Sequence, residues 1–185
     1  MLRTHTCGEL NKEYKDKEVV LCGWVHRRRD HGKLIFIDIR DRYGLTQIVF
    51  VPSVSKEAHD EAQKLGPEFV VKVTGTVNVR PEKNVNPDLS TGDMEVCATG
   101  LEILNSSEVP VFEVDDTADV SEELRLTYRY LDLRREKLLN SLKLRHKLCA
   151  VIHSFLDKQE FLEIAQIKSE TKPFESQSSQ GMFDF

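Results

Sequence analysis

The segment Leu34–Arg40 places an aromatic residue among apolar and charged neighbours that alternate along the chain. Successive side chains of a β-strand point to opposite faces, so three isoleucines share one face and are expected to line a small barrel: Ile35, Ile37 and Ile39. Phe36 then points outward, beside Asp38 and Arg40. An outward ring next to cations can stack on an unpaired nucleobase, which contributes about 1–3 kcal/mol per base. Packing of Phe36 beneath a neighbouring loop explains this residue alone equally well.

Three consecutive arginines, Arg27, Arg28 and Arg29, precede this segment. Adjacent guanidinium groups repel one another unless anions or acidic side chains lie nearby, and their planar donors match phosphate oxygens. A nucleic-acid backbone is therefore one candidate partner. The alternative is a solvated strand end whose arginines pair with Asp30 and Asp38.

Three further polar residues, Gln47, Asn84 and Glu95, have side chains that can read the edges of bases in single-stranded RNA. Sequence-specific RNA recognition acts mainly on unstacked loop bases through such edges. Each residue by itself is explained just as simply as ordinary surface. Only their joint placement on one barrel would indicate RNA binding.

These residues lie in a run of short segments rich in β-branched and apolar side chains. The pattern predicts strands at 18–28, 33–41, 45–51, 69–79 and 93–104, a turn at 29–32, a helix at 55–65 and a long loop at 80–92. Three strands, a helix and two more strands is the order of the five-stranded OB-fold barrel. The predicted fold class is therefore mainly β with α: an OB-fold barrel followed by a hinge and a long helix.

The second half of the chain has helical patterns instead. Ser121 can cap a helix that begins at Glu122. From Lys137 to Gln159, apolar residues recur at three- and four-residue steps and predict a helix whose apolar face must be buried against another surface. The predicted organisation is a barrel at 1–107, a linker and hinge at 108–136, a helical region at 137–164 and a divergent, disordered tail at 165–185.

Bulk composition narrows the class of protein. The chain has 185 residues and a formal net charge of −5, so any contact with RNA must come from a local basic patch. Its four cysteines are far apart and form no CxxC pair, which argues against a disulfide framework or metal site and favours the reducing cytoplasm. No apolar run approaches the ~20 residues that span a membrane.

Several longer stretches resemble the aspartyl-tRNA synthetases of bacteria and mitochondria. In the barrel they include Leu21–Asp30, Ile35–Arg42, Val73–Val77 and Thr91–Val96. The most diagnostic is Leu126-Thr-Tyr-Arg-Tyr-Leu-Asp-Leu-Arg-Arg135. The resemblance runs almost unbroken from Leu2 to Ile164, and it is to the N-terminal, anticodon-binding part of that family.

The resemblance implies an OB fold that grips the anticodon stem-loop of a tRNA of the aspartate type, with the asparagine type left open. Phe36 would stack on the middle anticodon base, and Arg29 and Gln47 would contact anticodon bases. The residues at tRNA-contacting positions of the family are Arg27, Arg29, Phe36, Gln47, Arg80, Asn84 and Glu95. The helix from Lys137 to Gln159 resembles motif 1 of class II synthetases, which implies a homodimer interface.

After Ile164 the sequence departs from the family, as a truncated or frameshifted chain would. Motifs 2 and 3 of class II synthetases, which hold ATP and seat the adenylate, are absent from it. We therefore expect no catalytic residues, no cofactor in this chain and no ligase activity of the chain alone, with ATP and Mg²⁺ used only by the full-length enzyme. Two alternatives stay open: a free-standing tRNA- or RNA-binding OB module, and an inactive dimerisation partner of a full-length synthetase.

Overall fold

The computed structural model describes residues 2–87, 89–117 and 119–164. Its first part is built from five strands: β1 (Glu18–His31), β2 (Leu34–Arg40), β3 (Leu45–Phe50), β4 (Val70–Val79) and β5 (Met94–Asn105). They close into a barrel in the order β1-β2-β3-β5-β4, in which only β3 and β5 pair in parallel. This arrangement confirms the five-stranded OB-fold barrel that the sequence predicts.

The barrel interior is filled by the apolar side chains that strand alternation points inward. The three isoleucines of β2 are at most 4% exposed. Each remaining strand adds buried residues to the same core, among them Leu21, Ile48, Val73 and Val96. Helix α1 (Lys56–Ala62) contributes two alanines to this core, and its N-terminus is capped by the hydroxyl of Ser55, which accepts from the N–H of Ala58. Burial of one face of β2 therefore fixes which of its side chains remain on the outer face.

The hairpin between β1 and β2 differs from the predicted one. The predicted turn covers 29–32, but β1 continues to His31 and the turn consists of Gly32 and Lys33. Gly32 has a φ of 61°, a left-handed conformation that glycine adopts without steric cost and that tight hairpins require. The prediction of a turn from Arg29 was therefore wrong. Arg29 is a paired strand residue that lies directly across from Phe36.

A second, smaller core follows the barrel within residues 108–135. Its buried and packed members are Phe112, Val114, Val120, Leu124, Tyr128 and Leu131. Helix α2 (Glu122–Thr127) begins after Ser121, whose hydroxyl accepts from the N–H of Leu124, as the sequence predicts. The short helix α3 (Arg129–Asp132) ends on a fully buried carboxylate, Asp132, which pairs with Arg125 and Arg129.

Helix α4 spans Glu136–Asp157, close to the predicted 137–159. The chain divides into two compact units, 1–139 and 140–185, so most of α4 belongs to the second. None of its residues is buried, and its exposed large apolar side chains are Leu142, Leu144, Leu148, Val151, Ile152, Phe155 and Leu156. Within the described ranges, no helix has the length and apolar character needed to cross a bilayer. The predicted tail at 165–185 lies outside the described residues.

Candidate nucleic-acid interface

Phe36 lies on the outer face of the barrel, opposite to the buried isoleucines of β2. It is half-buried and is paired in the sheet with Arg29 on β1 and Val49 on β3. The ring of His31 meets it edge-on, with the two ring centroids 5.8 Å apart. Phe36 is thus supported from the side while part of its surface stays accessible, as a stacking platform for a base requires.

Asp38, two residues further along β2, holds Arg29 in place. The Nη2 atom of Arg29 donates to Oδ1 of Asp38 at 2.7 Å and to Oδ2 at 2.8 Å. The same nitrogen donates to Oε1 of Gln47 at 3.2 Å. Asp38 is 7% exposed and Gln47 9% exposed. Strands β1, β2 and β3 therefore each contribute one side chain to a polar cluster beside the aromatic ring, in which Asp38 and Gln47 are buried and Arg29 is partly exposed.

Gln47 extends this cluster to β5 and the long loop. Its Nε2 donates to Oε2 of Glu95 at 3.4 Å, and that oxygen lies 3.9 Å from Nε of Arg80. The Nε of Arg80 donates to the carbonyl oxygen of Met94 at 2.9 Å, and its Nη1 donates to that of Asn84 at 3.5 Å. Asn84 ends the 3₁₀ turn Glu82–Asn84. Hydrogen bonds thus join Arg29, Gln47 and Glu95, and an ion pair continues the cluster from Glu95 to Arg80. Asn84 is connected to Arg80 through its backbone carbonyl oxygen. Five of the seven sequence-predicted residues therefore lie in one polar cluster, with Phe36 beside it.

Two guanidinium nitrogens of the cluster have no acceptor. Nε of Arg29 and Nη2 of Arg80 are shielded from solvent and make no hydrogen bond within the part of the chain that the structure describes. Unsatisfied buried donors are rare in native proteins because each costs about 1–3 kcal/mol. The Arg29 side chain is partly exposed, so a bound ligand with an acceptor atom is able to approach it, whereas the Arg80 side chain is buried.

Burial shifts the ionisation of the charged members of the cluster. It raises the pKa of the Asp38 carboxyl, and the positive charge of Arg29 is the main influence acting against that rise. Burial also lowers the pKa of the Arg80 guanidinium, while the charge of Glu95 is the main influence raising it. Charges held in such low-dielectric surroundings interact strongly with one another and with any ligand that enters.

Comparisons with known proteins show the family to which the chain is similar. Residues 19–104 match the family of OB-fold nucleic acid binding domains, and residues 121–171 match the tRNA synthetases of class II (D, K and N). An aspartate–tRNA(Asp/Asn) ligase from Oleidesulfovibrio alaskensis is 50% identical over 183 residues, which cover 99% of this chain and 29% of that protein. The chain belongs to the aspartyl-tRNA synthetase family. It spans less than a third of the length of the curated relatives it matches, corresponding to their N-terminal part.

Solved structures related to the aspartyl-tRNA synthetase family match the fold as well. The asparaginyl-tRNA synthetase from Pyrococcus horikoshii is 32% identical with a TM-score of 0.73, and the match covers 89% of this chain and 38% of that one. The aspartyl-tRNA synthetase from Entamoeba histolytica has a TM-score of 0.79 at 22% identity, covering 89% of this chain and 39% of that one. The second match concerns the fold alone.

The three consecutive arginines of this aspartyl-tRNA synthetase family member occupy different surroundings. Arg28 donates to Asp30 at 2.7 and 3.0 Å, and Arg29 is held by Asp38. Pairing with these two acids, the alternative that the sequence leaves open, is thus present for Arg28 and Arg29. Arg27 is exposed, and its side chain is accessible to an anion from solvent.

Two other arginines are less available than the sequence suggests. Arg40, expected beside Phe36 on the outer face, donates to both carboxylate oxygens of Glu68, at 2.8 and 3.0 Å, and to the carbonyl oxygen of Val114 at 3.2 Å. Arg80, expected to add a cationic contact, is only 6% exposed. Two of its nitrogens hold β5 and the long loop, and its Nη2 is shielded from solvent.

Asp38 is the member of the cluster that sequence reasoning did not count as a site residue. The sequence contained an indication of this role, because Asp38 is an acidic residue on the outward face of a strand and the preceding strand carries three arginines that can pair with it. Strand alternation alone does not reveal which arginine it binds. In the described residues, no group of three or more histidine, cysteine or acidic side chains is placed to hold a metal ion.

Proposed function

We propose that the barrel binds the anticodon loop of a tRNA on the face formed by Phe36 and the adjoining polar cluster. The observation that carries this proposal is the outward aromatic ring beside Arg29, a partly exposed arginine whose Nε has no acceptor within the described residues. An unpaired loop base offers both a π-face for the ring and acceptor atoms for the guanidinium groups. Membership of the aspartyl-tRNA synthetase family supports the same ligand.

Each of the predicted site residues would make a different kind of contact with the RNA. Phe36 stacks on the middle anticodon base, while Arg29 and Gln47 bond the edges of anticodon bases. Asn84, from the long loop at 80–92, and Glu95, from β5, face the anticodon loop of the RNA. Arg27 adds a phosphate contact, which positions the RNA without reading its sequence. The chain as a whole has a net charge of −5 and does not attract RNA. The attraction must therefore come from the arginines near the end of β1, Arg27 and Arg29.

We propose that the whole protein to which this chain corresponds is an aspartate–tRNA ligase. Relatives are named as ligases for the aspartate and asparagine tRNAs. We therefore propose that the bound tRNA is of the aspartate type, and further that the protein also accepts the asparagine tRNA. The chain by itself is proposed to lack ligase activity and to hold no cofactor. ATP and Mg²⁺ would serve the full-length enzyme, in the cytoplasm.

We further propose that α4 forms a homodimer contact. Five of its exposed apolar residues follow helical spacing and so share one face: Leu144, Leu148, Val151, Ile152 and Phe155. A contiguous apolar face of this kind is normally covered by another surface. A second copy of α4 presents an equivalent face, which makes a self-complementary contact possible.

The substitution Phe36→Ala tests the proposed RNA site. It removes the stacking surface, and the affinity for an RNA stem-loop carrying the anticodon of an aspartate tRNA should fall by about 1–3 kcal/mol, or roughly 5- to 150-fold. Fluorescence anisotropy at one fixed salt concentration measures the dissociation constant.

The matched control is Tyr43→Ala, which removes an exposed aromatic ring from the turn between β2 and β3. This variant should bind within about twofold of the parent chain, since a ring that is not part of the proposed binding face contributes no stacking to it. Equal affinity of the Phe36→Ala variant and the parent chain would remove Phe36 from the interface. Tight binding of every stem-loop regardless of anticodon would favour the free-standing RNA-binding module instead.

A further inference from the structure

A buried carboxylate is an unexpected component of a surface that binds a polyanion. Asp38 is 7% exposed and lies on the same face of β2 as Phe36, one outward position away. Burying a charge is costly unless it is paired, and a negative charge also repels RNA. Its presence needs a compensating role, and the contacts of Asp38 supply one.

The first step of that role is the capture of Arg29. Both oxygens of Asp38 accept from one nitrogen, Nη2, at 2.7 and 2.8 Å. Charge-assisted hydrogen bonds of this length are about twice as strong as neutral ones. Arg29 is therefore held against β2 and is kept from the many other conformations open to a long side chain.

The second step is the orientation of the Gln47 amide. A guanidinium group only donates, so the amide atom that faces Arg29 at 3.2 Å must be the oxygen Oε1. An ionised carboxylate only accepts, so the amide atom that faces Glu95 at 3.4 Å must be the nitrogen Nε2. Arg29 and Glu95 therefore favour the same orientation of the amide, and both disfavour the orientation in which Oε1 and Nε2 exchange places. One N–H of Nε2 and one lone pair of Oε1 are left for a ligand.

We propose that Asp38 is a positioning residue for base selection: by holding Arg29 it fixes the orientation of the Gln47 amide, and thereby the donor and acceptor that this amide offers to a bound base. The inference rests on the proposed RNA-binding function. A fixed amide discriminates between base edges because a wrong edge leaves buried groups unpaired, whereas an amide free to flip accepts either order of donor and acceptor. Asp38 itself touches no base.

The test compares Asp38→Asn with Asp30→Asn in the full chain. Both variants remove one negative charge and one carboxylate–arginine pair, since Asp30 pairs with Arg28 at 2.7 Å. Only Asp38 is connected to Gln47 through its arginine. The probes are an RNA stem-loop with the anticodon of an aspartate tRNA and a set of stem-loops that each differ from it in a single anticodon base. The measured quantity is the ratio of affinities for the matched and mismatched loops at fixed salt.

The parent chain and the Asp30→Asn variant should show the same affinity ratio. Asp38→Asn should lower the ratio at least about fivefold, while affinity for the mismatched loops stays level or rises because a repelling charge is gone. An unchanged ratio in Asp38→Asn would overturn the inference, and so would an equal loss of the ratio in Asp30→Asn. A parent chain that binds no stem-loop would instead reject the proposed function itself.

A double-mutant comparison separates positioning from a general loss of structure. Gln47→Ala should also lower the affinity ratio, and the Asp38→Asn, Gln47→Ala double variant should lower it no further, because both changes act through the same amide. Independent, multiplying losses would contradict the inference. If circular dichroism shows that Asp38→Asn is unfolded, Asp38→Ser, which leaves more room in the same space, is judged by the same ratio.

Discussion

At the scale of single residues, His26 on β1 shows how burial sets charge close to the interface. Nη1 of Arg40 lies 3.2 Å from Nδ1 of His26. Since the guanidinium group only donates, this ring nitrogen must accept and therefore carries no proton. Burial lowers the pKa of His26 below its ordinary value of 6.5, and the charge of Arg40 lowers it further. The neutral ring is the form that fits this site.

The stability of the protein should therefore fall as the pH drops through the range in which His26 titrates. The unfolded chain binds a proton at the ordinary pKa of 6.5 and the folded chain only below it. The contribution of His26 to the free energy of unfolding is thus complete above that value and decreases below it. Urea denaturation between about pH 7.5 and about pH 5.5 measures the slope.

The variant His26→Gln isolates this contribution from those of other titrating groups. Its amide oxygen can still accept from Arg40, but it does not titrate. The slope of unfolding free energy against pH should become smaller than in the parent chain. An identical slope in the two proteins would show that His26 does not couple protonation to folding.

At the scale of structural elements, Glu68 joins the barrel to the segment that contains α2 and α3. It lies in the segment before β4, is 8% exposed and accepts from Arg40 of β2, while Nη1 of Arg134, after α3, lies 3.7 Å from its Oε2. The guanidinium group of Arg134 also lies over the ring of Trp24, 4.8 Å from its centroid. Glu68 has a φ of 62°, a conformation that costs about 1–2 kcal/mol in a non-glycine residue. Its contacts with two arginines offset this strain.

Removal of the Glu68 charge should weaken the contact between the barrel and the segment 122–135. In Glu68→Gln, two arginines lose their buried counter-charge, and the free energy of unfolding should fall by about 3 kcal/mol. Hydrogen–deuterium exchange of the amides in 122–135 should become faster, since Arg134 loses its partner in the barrel. Denaturation and exchange together measure the two effects.

The control for this prediction is Glu102→Gln. Glu102 pairs with Lys72 at 2.9 Å on the exposed surface of β4 and β5, so its loss should leave the free energy of unfolding almost unchanged and should not alter the amide exchange of 122–135. Equal destabilisation by the two substitutions would mean that the buried position of Glu68 has no special role.

At the scale of the whole molecule, the apolar face of α4 should determine the oligomeric state. Leu148→Glu with Ile152→Glu places two charges at the centre of that face, and a dimer formed through it should dissociate because a buried unpaired charge is strongly unfavourable. Sedimentation velocity over a range of concentrations should show a dimer for the parent chain and a monomer for this variant.

Ser154→Glu provides the matched control, because it adds a negative charge to α4 away from the apolar face. This variant should dimerise like the parent chain. A parent chain that stays monomeric at high concentration, or a double variant that still dimerises, would contradict the proposed contact through α4.

The local sequence pattern determined the elements of this protein and the faces of its strands. The period of two in β2 was enough to place the isoleucines inside and Phe36 outside, and Ser121 was enough to mark the start of α2. Both features depend on neighbours within a few residues, which the sequence shows directly. The end of β1 was missed because arginine, aspartate and histidine resemble a turn when their partner strand is not considered.

Only the tertiary structure decided which charged groups pair. Arg29 and Asp38 are 9 residues apart, Arg40 and Glu68 are 28 apart, and Gln47 and Glu95 are 48 apart. The sequence offered Asp38 as a partner for any of three arginines, and no local pattern brings Glu68 to Arg40 or Glu95 to Gln47. The register of the closed barrel makes the selection, because it brings side chains from different strands within hydrogen-bonding distance and excludes water from between them.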